Sequence, residues 1–279
     1  MVFGPAIREL SASERSTFGP TSFRDYVVRH DVDAGPRTPR YISVDSLEDL
    51  PPSLAEAGAM VLRVGSAPDG TGTAFVLVDS PGGAGEFFLR DESVFAGQPV
   101  ERVEEPPESD RLSSYRVLPT LSETSLVNLG LASGVLADAL ELDTSGPLAP
   151  PATGRSTFTF EFRPHGDCSE TVTHRHGQVE IDTLFVERRG GESTLFVLEA
   201  KTGPRASLAK HKLVYALLAV ADSVPAEIEL VPVYLRCRQA DGVIAFDVAE
   251  CALPDPRERI PGVNELESRR SRVIELELE

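Results

Sequence analysis

The sequence of 279 residues contains no tryptophan, two methionines and three cysteines. The number of cysteines is odd, and the spacing of Cys168, Cys237 and Cys251 fits no disulfide framework. We therefore expect the protein to reside in a reducing compartment. No apolar run approaches the ~20 residues that a membrane-spanning helix needs. The first residues also lack the pattern of a secretory signal peptide. These absences predict a cytoplasmic protein that makes no contact with a membrane.

Basic residues are scarce, and almost all of them are arginine. The chain has 27 Lys plus Arg against 44 Asp plus Glu, a formal net charge of −17. Dispersed acidity with little lysine indicates a halophilic cytosol or a GC-rich genome, and the acidic excess favours the halophile. Such a charge repels nucleic acid in dilute salt. In roughly 1 M salt the Debye length is only about 3 Å, so nucleic-acid binding through local cationic contacts is not excluded.

The three lysines, Lys201, Lys210 and Lys212, lie within or beside a strand–turn–strand–helix pattern at residues 177–221. Polar and apolar residues alternate from 178 to 185, which is the period of a strand. A tight turn at 189–192 precedes a second strand, in which Glu199 and Lys201 share one face. A hairpin would bring these two residues close to the carboxylates of the first strand, Glu180 and Asp182.

Such a cluster has a specific chemistry. Neighbouring carboxylates repel each other unless a cation lies between them, and Mg²⁺ is commonly held by one or two carboxylates together with a substrate phosphate. A lysine beside them can orient or deprotonate a water, or stabilise charge on phosphorus. The set is suited to metal-assisted hydrolysis of a phosphodiester. The alternative interpretation is a solvated strand face without chemistry.

Asp182, followed by Glu199-Ala200-Lys201 at the end of an apolar strand and then by a helix, resembles the PD-(D/E)XK nuclease superfamily over residues 120–236. The resemblance implies that Asp182 and Glu199 bind Mg²⁺ or Mn²⁺ and that Lys201 is the catalytic lysine. It assigns Glu180 a further ligand or hydrogen-bonding role. It also implies DNA as the partner, and a homodimer if the protein acts as restriction-like relatives do.

The helix after the second strand contributes to the same resemblance. His211-Lys212-Leu213-Val214-Tyr215 lies where some relatives carry Gln-x-x-x-Tyr, with His211 at the glutamine position. DNA-binding or supporting roles are therefore expected for Lys210, His211, Lys212, Tyr215 and Gln178. The first helix of such proteins sometimes donates another acidic ligand, and the open candidates are Glu123, Asp138 and Glu141.

The expected order of elements also fits that superfamily. A helix with a capping box at Thr120–Glu123 runs to about residue 142, and three strands, a helix over 205–221 and a strand over 227–236 follow. This order predicts an α/β (α+β) protein with a restriction-endonuclease-like αβββαβ core. We expect a smaller N-terminal α+β domain at 1–110 with no assigned role other than target recognition, a nuclease-like domain at 111–253 and a charged tail at 254–279. A linker is expected at 98–111.

A second group of metal-ligating residues has the spacing His-x2-Cys-x5-His-x-His. It consists of His165, Cys168, His174 and His176, whose nitrogen and sulfur atoms suit Zn²⁺. The alternatives are a polar loop between two strands, or contact of His174 or His176 with a DNA phosphate.

Three functions are compatible with these observations. The first is a Mg²⁺-dependent deoxyribonuclease, an endonuclease of the restriction-like, repair or defence type. The second is a non-catalytic nucleic-acid-binding or assembly module on the same fold, and the third is an unrelated α/β protein with a coincidental motif. RNA as the substrate and exonuclease action are open alternatives within the first.

Overall fold

The computed structural model of the protein describes residues 1–34, 38–69, 71–103, 112–143, 148, 150–240 and 242–277. Its helices are α1 Gly4–Ala12, α2 Phe23–Arg29, α3 Thr38–Tyr41, α4 Pro52–Glu56, α5 Asp91–Val94, α6 Ser113–Val117, α7 Glu123–Ala132, α8 Val135–Ala139 and α9 Lys210–Ala221. Its strands are β1 Thr17–Ser22, β2 Ala59–Ser66, β3 Thr73–Asp79, β4 Phe88–Arg90, β5 Val100–Val103, β6 Ala152–Phe162, β7 Val172–Arg189, β8 Glu192–Lys201, β9 Ser207–Ala209, β10 Glu229–Ala240, β11 Val243–Ala252 and β12 Glu267–Glu277.

A ten-stranded mixed sheet forms the centre of the protein. Its order is β1-β3-β2-β7-β8-β10-β11-β12-β5, and β6 also pairs with β7. Strands β6, β7 and β8 are antiparallel neighbours, whereas β8 and β10 run parallel and are connected through α9. A mixed sheet with helices confirms the expected α+β class.

The hairpin of β7 and β8 has the predicted tight turn. Gly190 and Gly191 have φ values of 61° and 87° and lie between the paired residues Arg189 and Glu192. Two successive positive φ values define a turn whose twist matches that of paired strands, and glycine adopts them without a steric cost. The turn fixes the register of the two strands, and therefore which residues meet at their far ends.

Two hydrophobic cores lie on opposite faces of the sheet. Leu195 and Val197 of β8 belong to the larger core, which includes the buried face of α9 and the N-terminal elements. Phe196 and Leu198 belong to the second core, which includes α7 and α8. The predicted division of β8 into two faces is thus confirmed. It places Glu199 and Lys201, which follow Leu195 and Val197 in the alternation, on the side of α9.

The helix expected from Thr120 to residue 142 is two helices. Ser122, rather than Thr120, is the N-cap of α7, because its side chain accepts a hydrogen bond from the backbone N–H of Ser125. Gly134 has a φ of 82° and separates α7 from α8. Glycine adopts this left-handed conformation readily, and it commonly ends a helix for that reason.

The helix expected from 205 begins instead at Lys210. Residues Ser207–Ala209 form β9, which pairs with β4. The hydroxyl of Ser207 donates to Glu48 and accepts from the N–H of Leu47, so the N-terminal region holds this segment extended. A tertiary contact therefore overrides the helical pattern.

Two segments expected outside the folded core contribute strands. Val100–Val103, within the expected linker, pairs in parallel with β12, and residues 104–111 of that linker lie outside the described residues. The expected charged tail contains β12 itself, whose Ile274 and Leu276 are buried in the second core. Its charged residues alternate with these apolar ones, which a count of charge alone does not distinguish from a solvated tail. The division into three domains stays a prediction.

Strands β1, β3 and β2 join the rest of the sheet through β7. Strand β2 meets β7 in parallel at Gly65 and Arg175. Gly65 has a φ of 80°, and a Cβ atom there would overlap the carbonyl oxygen of Arg175, so only glycine permits this close approach. Among the helices in the described ranges, none is long and apolar enough to cross a membrane.

Candidate active site

The ends of β7 and β8 bring together the residues of the predicted motif. Lys201 Nζ lies 2.7 Å from Glu199 Oε1 and 3.9 Å from Asp182 Oδ2. The N–H of Ala200 donates to Asp182 Oδ2 at 3.4 Å, which ties that carboxylate to the neighbouring strand. We call Asp182 and Glu199 the acidic pair. It lies just beyond the last ladder pair of the hairpin, Thr183 with Leu198.

A second lysine reaches the acidic pair from α9. Lys212 Nζ lies 3.8 Å from Glu199 Oε1 and 3.6 Å from Asp45 Oδ1. Asp45 comes from the loop after α3, and the sequence analysis did not identify it. No local pattern marks it, because its proximity depends on how the N-terminal region packs on α9. Lys212 therefore connects the acidic pair to a carboxylate from the N-terminal region.

Burial raises the pKa values of both carboxylates of the acidic pair. The side chain of Glu199 is 4% exposed, and burial raises its pKa to about 7 although Lys201 and Lys212 oppose this shift. Burial also raises the pKa of Asp182, again against Lys201. Burial lowers the pKa of Lys201, but the carboxylates of Glu199, Asp182 and Glu123 together outweigh burial, and the net pKa is raised. Lys201 is thus a cation at neutral pH.

One of the three acidic candidates from the helix that was expected over residues 120–142 lies beside this site. Glu123 Oε1 accepts hydrogen bonds from the N–H and the hydroxyl of Thr202, at 2.9 and 3.1 Å, and its charge acts on both Asp182 and Lys201. Asp138 pairs instead with Arg272. The third candidate, Glu141, pairs with Arg270. Among the three candidates, Glu123 at the start of α7 is therefore the one that can influence the acidic pair.

A cleft of about 240 Å³ adjoins the acidic pair, with Lys212 on its wall. We call it the α9 cleft. Gln178 and Glu180 line it from β7, and His211 and Tyr215 line it from α9. Residues that the sequence analysis did not select complete the wall: Ile42, Ser43, Asp45, Arg63, Arg155 and Val179. The cleft thus collects most of the predicted supporting residues and joins them to the N-terminal region.

Lys210 lies apart from both the acidic pair and the α9 cleft. Its Nζ donates to the carbonyl oxygen of Asn264 at 2.8 Å, and the residue is buried. Burial lowers its pKa. The contact fastens the first turn of α9 to the segment before β12.

The structure does not bring the four candidate zinc ligands together. His165 Nε2 lies 3.3 Å from Glu86 Oε2 and 2.8 Å from the amide nitrogen of Asn264. Cys168 is buried in the larger core, and His176 is exposed. The fourth, His174, lines the α9 cleft. Within the described part of the chain, no group of three or more His, Cys, Asp or Glu side chains is arranged to hold a metal ion.

Comparisons with known proteins identify a family without assigning an activity. The family described as "Domain of unknown function (DUF6997)" matches residues 96–264, a span that includes the acidic pair, Lys201 and all of α9. Neither the curated proteins nor the solved structures contain a significant match to the chain. Because the matched span is more than half of the sequence, the chain belongs to the DUF6997 family.

Proposed function

We propose that the protein is a metal-dependent nuclease that hydrolyses phosphodiester bonds of DNA at the acidic pair. One observation carries the proposal: Lys201 Nζ lies within 4 Å of both carboxylates, at the ends of two strands paired by a fixed turn. Residues 17 positions apart in the sequence form this cluster. The arrangement is the one that the resemblance to PD-(D/E)XK nucleases implies for Asp182, Glu199 and Lys201.

The neighbouring elements support the same proposal. In chain order they are α7 with α8, the antiparallel strands β6, β7 and β8, then α9 and the strand β10, which runs parallel to β8. We interpret this order as the αβββαβ core of a restriction-endonuclease-like fold. The acidic pair lies on the α9 side of that core, next to the α9 cleft.

The donor set suits Mg²⁺ or Mn²⁺. Asp182 and Glu199 are oxygen ligands, and their pKa values are raised because burial is only partly compensated by the two lysines. A divalent cation favours the ionised form of both carboxylates, and two carboxylates with a phosphate are a common protein environment for Mg²⁺. When bound, such an ion stabilises negative charge on the phosphate and lowers the pKa of a bound water.

The chain's own residues have distinct roles in this proposal. Lys201 is protonated, so it stabilises negative charge on the phosphate and holds Glu199 in place, and it does not act as a general base. Lys212 also balances the charge of Glu199, at the same oxygen, Oε1, that Lys201 contacts. Glu180 is exposed in the α9 cleft, where it can accept a hydrogen bond from substrate or water.

The proposal is tested by incubating the protein with plasmid, linear, single-stranded and branched DNA and with RNA, at high KCl, in Mg²⁺, Mn²⁺ or EDTA. Cleavage is expected with a divalent metal and not with EDTA. Lys201→Met should lower the rate at least ~100-fold, as loss of a charge-stabilising group does in other enzymes. Arg269→Met, which removes an exposed cation on β12, is the control for lost surface charge and should cleave normally.

A non-catalytic nucleic-acid-binding or assembly module is the second candidate. It is favoured by the contact of Lys201 with Glu199, because this ion pair can stabilise the buried carboxylate without any metal. Under this alternative, the folded protein binds DNA but cleaves none of the substrates in either metal.

A further inference from the structure

Three buried side chains of the α9 cleft have polar atoms without hydrogen-bond partners among the described residues. They are Nδ1 of His174, Nδ1 of His211 and the hydroxyl of Tyr215. Each of the three residues is at least nine-tenths buried. Native proteins pair nearly all of their buried polar groups, because an unpaired donor or acceptor loses its hydration without compensation. All three belong to residues that line one cleft, and a ligand with matching donors and acceptors would supply the partners that these buried atoms lack.

The three side chains pack against one another as a cluster of tilted rings, at interplanar angles of 51° and 61°. The rings of His174 and Tyr215 have centroids 5.1 Å apart, and those of His211 and Tyr215 are 5.4 Å apart. Phe160 stacks on His174 at 4.6 Å with an interplanar angle of 11°. A cluster of aromatic rings that also carry polar atoms suits a planar ligand with hydrogen-bonding edges.

Each of the unpaired groups is neutral at pH 7. Burial lowers the pKa of His174 and His211 to about 4, and burial raises the pKa of Tyr215 above its ordinary value. A neutral imidazole offers one N–H and one lone pair, and a phenol offers one of each as well. These groups suit a neutral heterocycle, whereas a phosphate would be recognised by cations.

Cations are present at the rim of the cleft. Arg63 and Arg155 contribute guanidinium groups, and Gln178 contributes an amide that can both donate and accept. Lys212 lines the cleft and lies 3.8 Å from Glu199. A volume of about 240 Å³ is smaller than the roughly 300–1,000 Å³ of a typical drug-sized site. The cleft is therefore a small site, and Lys212 joins it to the acidic pair.

We propose that the α9 cleft receives one nucleobase, extruded from the DNA strand whose backbone lies at the acidic pair. Enzymes that extrude a base read its edge by hydrogen bonds and stack it against side chains. Here Tyr215, the two histidines and Gln178 read the edge of the base, and Arg63 and Arg155 contact the flanking phosphates. The inference rests on the nuclease proposal, since that proposal supplies the strand.

The test measures binding of the full-length protein to short single-stranded DNA in EDTA, where no cleavage is expected. One oligonucleotide carries 2-aminopurine at a single position, and its partner has an abasic site there. The 2-aminopurine strand should bind about tenfold more tightly, because stacking of one base on aromatic side chains has an effect of that size. Its fluorescence should change on binding.

Tyr215→Phe and Gln178→Ala each remove one hydrogen-bonding group for the base edge and leave the other rings of the cleft in place, so each should lower the preference for the 2-aminopurine strand roughly threefold. The hydroxyl of Tyr215 has no partner in the free protein, so Tyr215→Phe should not lower the temperature of thermal unfolding. Tyr26→Phe is the matched control. It removes a hydroxyl that donates to the carbonyl of Val2, at a residue that does not line the cleft, and it should keep the preference for the base.

Equal binding of the two strands, or no binding of either, would overturn the base pocket. If cleavage by the wild type is metal-dependent while the two strands bind equally, the pocket is refuted and the nuclease proposal stands. If the 2-aminopurine strand is preferred but no substrate is cleaved, the pocket is supported and the nuclease proposal is refuted. The cleavage and binding measurements thus separate the two claims.

Discussion

Glu199→Gln should stabilise the protein at alkaline pH while abolishing the proposed cleavage of DNA. Glutamine has nearly the shape of a protonated glutamate and does not ionise, so the variant represents the wild type with Glu199 held neutral. In the folded protein, burial raises the pKa of Glu199 from 4.5 to about 7. Ionising this carboxyl is therefore less favourable in the folded state than in the unfolded state, where it is solvated.

The sign and size of the effect follow from linkage between protonation and folding. A raised pKa means that stability is fully present below 4.5 and is lost as the pH rises through 7. The full loss corresponds to about 3 kcal/mol, since one pKa unit is about 1.4 kcal/mol. Glu199→Gln does not undergo this loss. Its unfolding free energy should exceed that of the wild type by about 1 kcal/mol near pH 5 and by about 3 kcal/mol near pH 8.

The measurement is urea unfolding of both proteins at several pH values from 5 to 8, with the difference in unfolding free energy plotted against pH. Asp138→Asn is the matched control, because it also replaces a carboxylate by its amide, but at an exposed residue that pairs with Arg272. A Glu199→Gln variant that is several kcal/mol less stable than the wild type at pH 8 would refute the reasoning. It would mean that the ion pair with Lys201 outweighs the desolvation of Glu199.

Three further predictions test other parts of the structure. Lys212→Met removes a charge that lowers the pKa of Glu199, so the loss of stability should occur at a higher pH than in the wild type. Urea unfolding at several pH values measures this, and an unchanged pH midpoint of the loss would contradict the contact. The lowered pKa of His211 means that its contribution to stability is present above pH 6.5 and is lost as the pH falls through about 4. As the pH falls over that range, the unfolding free energy of His211→Leu should therefore drop by about 3 kcal/mol less than that of the wild type. Parallel plots of unfolding free energy against pH for the two proteins would contradict this. Gly65→Ala should cost at least about 2 kcal/mol, because it combines a left-handed φ with overlap of Arg175. Gly72 has a φ of 96° with open space around it, so Gly72→Ala should lower the unfolding free energy by only about 1 kcal/mol. Equal losses of unfolding free energy in the two variants would contradict close packing at Gly65.

The acidic pair and Lys201 could be predicted because local sequence fixes their positions. Alternation places Glu199 and Lys201 on one face of β8, and the two glycines of the turn set the register with β7. Together these two features determine which residues meet at the far ends of the strands. No long-range packing is needed to bring Asp182 to Glu199.

The α9 cleft could not be predicted, because its walls come from distant segments. Asp45 and Arg63 reach it only through the packing of the N-terminal region against α9 and β7. The start of α9 was misplaced for the same reason, since pairing of β9 with β4 keeps Ser207 extended. Glu123 was one of three equivalent candidates in the sequence, and only the tertiary placement of Thr202 distinguishes it.

The central claim is that the acidic pair supports metal-dependent cleavage of DNA. The most direct test compares the initial cleavage rates of the wild type, Asp182→Asn and Asp138→Asn on the DNA that the wild type prefers, in Mg²⁺ and in EDTA. The account predicts cleavage by the wild type and by Asp138→Asn in Mg²⁺ alone, with a rate at least ~100-fold lower for Asp182→Asn. Cleavage by folded Asp182→Asn at the wild-type rate, or cleavage by the wild type in EDTA, would contradict it.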